Sequence, residues 1–280
     1  MEQEFKEGFF YGMPFEEYQS IKALNGSSIV HMRRSAMKFK HELDNPTSPS
    51  PAMELGVITH RLILEPETVG DLAVWGEEED QKVRRGKLWD EFRRVHEGSI
   101  ILTVNERDAV LAMAHAALSH SPIRKYANAE GPSEVSMFWR HPHTGRKFKA
   151  RVDKIVGDPP TLVDLKTTRD SRSFRFGPQA YSLGYVVKMA NYWNGYRTLT
   201  GIEPQVKLLA IESKAPHESV VYHVPRELLV LGYDELENLV WKLDDCEKDD
   251  AWPPAEMEET NLCLPPWADS EAETELNLEM

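Results

Sequence analysis

Three residues past the midpoint of the chain have the types and spacing to cut a phosphodiester: Asp153, Asp164 and Lys166. On an extended strand residues i and i+2 face the same side, so Asp164 and Lys166 project together while Leu165 faces the core. A neighbouring strand through Arg151-Val152-Asp153 brings Asp153 beside Asp164 once the Asp158-Pro159-Pro160 turn has reversed the chain. Converging carboxylates repel unless a cation sits between them. Hard oxygen ligands with open positions suit Mg²⁺ or Mn²⁺, held by a few carboxylates, waters and a substrate phosphate. Such an ion activates water and stabilises the charge that builds on phosphorus-bound oxygens. Three uses are open to Lys166: orienting the attacking water, deprotonating it, or shielding developing charge. The bare D-x-K pattern is common surface charge. Here it follows the apolar run Thr161-Leu162-Val163 and precedes the hydroxyl pair Thr167-Thr168, as a strand opening into a site would.

The elements that must position these residues fall into two parts. Residues 15–45 read as helical with few breaks, with Asn25 or Ser27 as a cap, and the prolines at 46, 49 and 51 close that stretch. A second helix spans 52–64 and carries His60 one turn past Gly56, on an apolar face where a core histidine is the ordinary reading. Residues 70–100 are charged and weakly patterned, which suggests an irregular excursion. A helix over 104–120 follows, with Asn105 as its expected cap. From about residue 133 the pattern changes: alternating strands over 134–142 and 147–156 with a turn at His143-Thr144-Gly145, a short apolar strand over 161–167 that ends in polar groups, then a helix over 182–201, a strand over 206–213 and a helix over 224–243. That order predicts an α/β sandwich with a mixed central sheet flanked by helices. One domain over 1–267 is expected, with a helical part (about 15–120), a catalytic core (about 133–243) and an acidic tail over 268–280.

Composition bounds the rest. The 280 residues include 41% hydrophobic and 28% charged types, as in an ordinary globular protein. No apolar run approaches the roughly 20 residues needed to span a bilayer, so no membrane partner is expected. The first ten residues lack a basic start and an apolar core, and two cysteines, Cys246 and Cys263, are too few for a disulfide scaffold. A reducing cytoplasm is the expected setting. The net charge of −13 argues against a polyanion partner only at first sight. Acidic residues concentrate after residue 244, whereas Arg33, Arg34 and Lys38, and Lys82, Arg84 and Arg85, form basic clusters. Either cluster could line a DNA path or be a solvated helix face.

The stretches RVDKI and TLVDLKTTRD resemble the core of the exonuclease VIII (RecE-like) family within the PD-(D/E)XK nuclease superfamily. Further features resemble that family in order: SSIVHMRRSAMKFK near the start, Ala52-Met53-Glu54-Leu55-Gly56 through His60 to Glu65-Pro66, Glu134 leading an aromatic strand to Thr144-Gly145, and Trp252-Pro253 followed by Leu264-Pro265-Pro266-Trp267. The resemblance runs from about residue 24 to 267. It implies a PD-(D/E)XK restriction-endonuclease-like core in which His60, Asp153, Asp164 and the Leu165 carbonyl bind Mg²⁺ or Mn²⁺. Glu134 would then join the catalytic set from close by. Arg151 would be a phosphate contact or a salt-bridge partner of Asp164. The activity implied is an exonuclease on double-stranded DNA ends, working 5′ to 3′ as a ring-like homo-oligomer and supplying 3′ single strands to an annealing protein.

One position departs. Where the family carries a glutamine between two tyrosines, this chain has Lys188 between Tyr185 and Tyr192. A lysine can hold phosphate as a point charge but lacks the paired donor and acceptor of an amide. Lys188, with Tyr185, is therefore either a DNA clamp or a cation that repels the metal, and the tyrosines could instead be core aromatics. Two rival functions stay open: a RecB-type structure-specific endonuclease, and a weakened module that binds DNA or a partner without cutting.

Overall fold

The computed structural model describes residues 5–46, 48, 50–70, 72–78 and 83–261. A short strand β1 (Gly8–Phe10) and helix α1 (Phe15–Ser20) open the chain, followed by α2 (Gly26–Ile29), a 3-10 turn over Val30–Arg33, and α3 (Ala36–Asp44). The expected near-continuous helix over 15–45 is thus broken into pieces. The cause lies at Leu24, whose N–H donates to the Lys147 carbonyl (2.9 Å) and whose carbonyl accepts from the Lys149 N–H (2.8 Å), a bridge to the sheet that helical backbone cannot make. The chain restarts because Asn25 caps α2, accepting from the Ser27 and Ser28 amides, and Ser35 caps α3.

Helix α4 (Pro51–Leu64) is capped by Ser50. The supposedly irregular stretch after it contains β2 (Leu72–Trp75), α5 (Lys87–Val95) and β3 (Ile100–Thr103), with β2 and β3 paired in parallel as a separate two-stranded sheet. Its sequence hides this order because α5 buries no residue fully and is attached through rings, with Trp75 5.1 Å from Trp89 and 5.2 Å from Phe92. Helix α6 (Val104–Ser119) starts in a reciprocal capping box between Thr103 and Glu106, so Thr103 and not Asn105 is the cap.

Then come α7 (Ser121–Ala127), β4 (Ser133–Arg140), β5 (Lys147–Val156), β6 (Thr161–Thr168), α8 (Ser173–Ser182), α9 (Tyr185–Thr200), β7 (Gln205–Glu212), β8 (Ser219–His223) and α10 (Arg226–Asp249). The main sheet runs β1-β4-β5-β6-β7-β8, antiparallel except where β6 and β7 pair in parallel. That parallel pair requires a crossover, which α8 and α9 supply. The fold is the expected mixed sheet flanked by helices. Leu162, Val206 and Leu208 pack against Val187, Tyr192, Trp193, Leu236 and Val240 on one side. Val163, Leu165, Leu209 and Ile211 pack against Ile63, Ala117 and Ile123 on the other. Covered on both faces, β6 and β7 read as apolar runs with little alternation, and the few polar residues on them stand out. Among the described residues, no helix is long and apolar enough to cross a membrane. The Trp252 ring stacks on Phe39 (6.3 Å), while Cys263, the motif residues 264–267 and the tail over 268–280 lie outside the described residues.

Candidate active site

Strand register builds the site. The pairings Ser133↔Lys154 and Val135↔Val152 flank Glu134 and Asp153, so β4 and β5 hold two acids at one level of the sheet. The pairing of β5 with β6 runs from Val156↔Thr161 to Lys154↔Val163 and ends there, one residue short of Asp153 and Asp164. Continued, it would set those acids opposite each other, where like charges destabilise a ladder. The Asp153 carboxylate turns instead to accept the Leu165 N–H at 2.7 Å. Glu134 has a φ of 50°, left-handed backbone that a non-glycine residue adopts at a cost of order 1–3 kcal/mol and that clusters at functional sites.

His60 reaches this level from α4. Gly56, one turn earlier on the same face, lets the helix lie close to β6, since a Cβ there would stand 3.2 Å from Thr167 Oγ1. His60 Nε2 lies 2.7 Å from Asp153 Oδ2 and its Nδ1 3.6 Å from Glu134 Oε1. One donor atom from each of His60, Glu134 and Asp153 falls within 4.8 Å of the others.

Asp164 sits apart from that trio. It is fully buried, with Lys166 Nζ at 2.5 Å from Oδ2 and Lys188 Nζ at 2.9 Å from Oδ1. Lys166 also donates to the Leu165 carbonyl (3.0 Å) and lies over the Tyr185 ring at 5.5 Å. Lys188 lies over the Tyr192 ring at 5.2 Å, and the Tyr192 hydroxyl donates to the Arg151 carbonyl at 2.5 Å. Lys188 is held from behind by α2, whose Gly26 has no room for a Cβ, since one would stand 2.9 Å from Lys188 Cα.

The electrostatics follow from burial and pairing. Burial alone would lower the His60 pKa, but the Asp153 carboxylate outweighs it and the net shift is upward. Burial would raise Asp153, yet His60, Lys166 and Lys188 hold its carboxyl well below the usual range. The two lysines compete for Asp164. Burial lowers both, but Lys188 gains enough from Asp164, Tyr192 and Asp153 to end well above its ordinary value. Lys166 stays lowered by burial and by the like charge of Lys188, against the pull of Asp164.

Other expected site residues are placed differently. Arg151 Nε donates to Glu134 Oε2 at 2.5 Å, with further bonds to the Met13 carbonyl and Ser136 Oγ. Its ion-pair partner is therefore Glu134 and not Asp164, because Arg151 pairs across to Ser136 on β4 while β5 and β6 have already parted. Arg33 is bidentate on Glu235 of α10 and donates to the Tyr181 carbonyl, which keeps it out of the cluster. Arg34 is exposed and Lys38 lies 3.5 Å from Glu42. Arg84 is committed to Glu106, Arg85 is exposed, and Lys82 lies outside the described residues. Glu65 was not anticipated. Its carboxyl is raised by burial and by the charge of Glu134, which puts it beside the site at the end of the helix that carries His60. The only sequence signal was its place in the motif ending Glu65-Pro66.

Residues 25–265 match the model of a PDDEXK-like domain of unknown function (DUF3799). The chain belongs to this family. A search of curated proteins returns no match. Among solved structures, a protein of Eubacterium rectale provisionally named an exonuclease is 14% identical, over 90% of this chain and 95% of its own, with a TM-score of 0.62. That likeness shows a shared fold. A second structure, SSO0001, is 14% identical over 81% of each chain, and its TM-score of 0.36 carries no weight.

Membership of this PDDEXK-like family makes the donor chemistry of the site a direct question. Two carboxylates and an imidazole within 4.8 Å fit a divalent cation. Asp164 is adjacent, but both of its oxygens accept from ammonium groups.

Proposed function

We propose that this chain is a metal-dependent nuclease on double-stranded DNA that works from ends. The observation that carries this is the pairing of two unlike halves at one place: the His60–Glu134–Asp153 trio beside Asp164 and Lys166 on the edge where β5 and β6 part. When bound, Mg²⁺ or Mn²⁺ supplies a water of lowered pKa and charge stabilisation at phosphate. His60, Glu134 and Asp153 would hold it, and Glu134 is steadied by Arg151. Asp164 holds Lys166 in place, and the Lys166 ammonium orients the attacking water and stabilises negative charge on the phosphate. Tyr185, under the Lys166 ammonium, walls the site.

The sequence resemblance supports the finer points: 5′ to 3′ polarity, Mg²⁺ or Mn²⁺ as the ion, a ring-like homo-oligomer, a single-strand annealing protein as partner, and work in the cytoplasm. Blunt linear DNA labelled at one 5′ end, incubated with Mg²⁺ or Mn²⁺, tests the end-directed cutting, its polarity and its metal. Release of labelled mononucleotides or short products first supports the reading. Nicking of closed circular DNA instead supports a RecB-type endonuclease. A second reading, binding without efficient cutting, is favoured by the two ammonium groups that occupy both oxygens of Asp164. Retained DNA binding with no product at any metal concentration would establish it.

A further inference from the structure

Helix α8 connects the strand of Asp164 and Lys166 to the helix of Lys188, and one face of it is exposed in an unusual way. Phe174 is 62% exposed and Tyr181 is 51% exposed. Seven residues apart, they fall on the same side of the helix. Each ring has arginine against it. The Arg172 and Arg175 guanidiniums lie 4.9 and 5.6 Å from the Phe174 centroid, and Arg33 lies 4.8 Å from that of Tyr181. The opposite face is fixed in place: Phe176 is buried, stacked on Tyr222 at 5.2 Å and 6.4 Å from Tyr185, and Gln179 Oε1 accepts from Thr168 Oγ1 at 3.0 Å. Because Tyr185 also lies under the Lys166 ammonium, the exposed rings are tied to the site through two contacts.

We propose that this face, Phe174 and Tyr181 with Arg172 and Arg175, is a stacking platform for unpaired bases of the DNA strand that passes through the Asp164–Lys166 site. This rests on the nuclease reading above. The chemistry favours a nucleic acid over a protein partner on two counts. Residues 169–182 carry Arg169, Arg172 and Arg175 against Asp170 alone, which pairs with Arg172, so the segment stays net basic in a chain of net charge −13. Flat rings beside guanidiniums also match what a single strand offers, a π-face on every base and a phosphate on every linkage. Bases inside a duplex are already stacked, so the ligand is the unpaired stretch at an opened end. The platform accounts for Arg33 as well, since its bonds to Glu235 and the Tyr181 carbonyl brace the tyrosine that the strand would meet.

The test uses the full chain and a fluorescein-labelled oligothymidylate in EDTA, read by anisotropy. Phe174→Leu keeps apolar bulk and removes the π-face, and it should weaken binding by about tenfold, the scale of one lost base stack. Phe174→Trp should match or exceed the wild type. Both variants should melt like the wild type, because the side chain is exposed. Equal affinity for Leu and wild type, or no oligothymidylate binding by the wild type, overturns the proposal. So does a change in oligomeric mass by light scattering with binding unaltered, which would make this face a contact between protein copies. A wild type that binds and loses affinity on Phe174→Leu, yet cuts no DNA, supports the platform while sinking the nuclease reading.

Discussion

The two halves of the site solve one problem in opposite ways. On the β4–β5 side, Glu134 and Asp153 face each other at one level, and their charge is met by a titratable imidazole and by Arg151. On the β6–α9 side, a single acid, Asp164, is met by two lysines. The first half gains surplus negative charge when His60 gives up its proton, and can then take a cation. The second is a closed ion triad with surplus positive charge, suited to a phosphate. The difference teaches how one sheet edge can bind both a metal and a polyanion: charge of each sign is concentrated a few ångströms apart and held by burial.

If that contrast is right, removing an acid should have unequal effects on stability. Asp164→Ala leaves two half-buried ammonium groups without the counter-charge of a fully buried acid, and breaking such a pair costs up to about 3–5 kcal/mol. Asp153→Asn leaves His60, which can simply shed its proton, so the stability loss should be much smaller. Both should cut DNA cleavage by at least about a hundredfold. Thermal melts of the two variants alongside an endpoint nuclease assay check this. Equal melting temperatures would show that the lysines relax to solvent and that the triad is loose, and near-normal cleavage by either variant would remove that acid from the site.

The next expected effect is on the metal-binding half alone. His60→Ala should raise the Mn²⁺ concentration for half-maximal binding by at least about tenfold, by calorimetry or the Mn²⁺ electron spin signal. Unchanged metal affinity with a lower melting temperature would make His60 a core residue. The same histidine sets a pH dependence. Its pKa is raised above 6.5 by Asp153, so its pairing stabilises the fold below about pH 6.5 and is lost as pH rises through the folded value. Asp153, depressed, contributes above about pH 3.8 and loses that contribution on acidification. A bound metal competes with the imidazole proton, so the rise in melting temperature caused by Mn²⁺ should be larger at pH 8 than at pH 6. An equal rise at both would exclude His60 as a ligand.

Much of this contrast could be seen in the sequence, for physical reasons that differ by residue. The i, i+2 rule places Asp164 and Lys166 on one face without knowledge of the fold, and the strands over 147–156 and 161–167 are legible because the alternation of the first and the short apolar run of the second are local. The level shared by Glu134 and Asp153 depends on strand register, which no local pattern encodes, and Glu65 enters only because α4 ends beside Glu134. For Arg151 the sequence leaves a phosphate and Asp164 open, and its pairing with Glu134 follows from the parting of β5 from β6, which is invisible before pairing is known. Helix α8 was hidden by Gly177 and Pro178, which read as breakers. Strands β2 and β3 were masked by the charge of the exposed helix between them.

The smallest effect is expected at Lys188. For it to clamp a phosphate, its ammonium would have to leave Asp164 Oδ1, where it sits at 2.9 Å, half-buried and with its pKa raised by that carboxylate. Leaving would expose Asp164 to Lys166 alone and would forfeit a charge-assisted bond in low dielectric. The geometry therefore favours the other role, a fixed cation near Asp153 that opposes a dication. Lys188→Gln is one atom shorter but keeps a donor for Asp164 while removing the charge. Mn²⁺ affinity should then rise about threefold to tenfold, the scale of roughly 1 kcal/mol for a partly screened like charge, with cleavage increased at limiting metal. If metal affinity is unchanged and KM for DNA rises instead, the ammonium does swing to the phosphate. The positive half of the site would then be mobile, and only the His60–Glu134–Asp153 half preset.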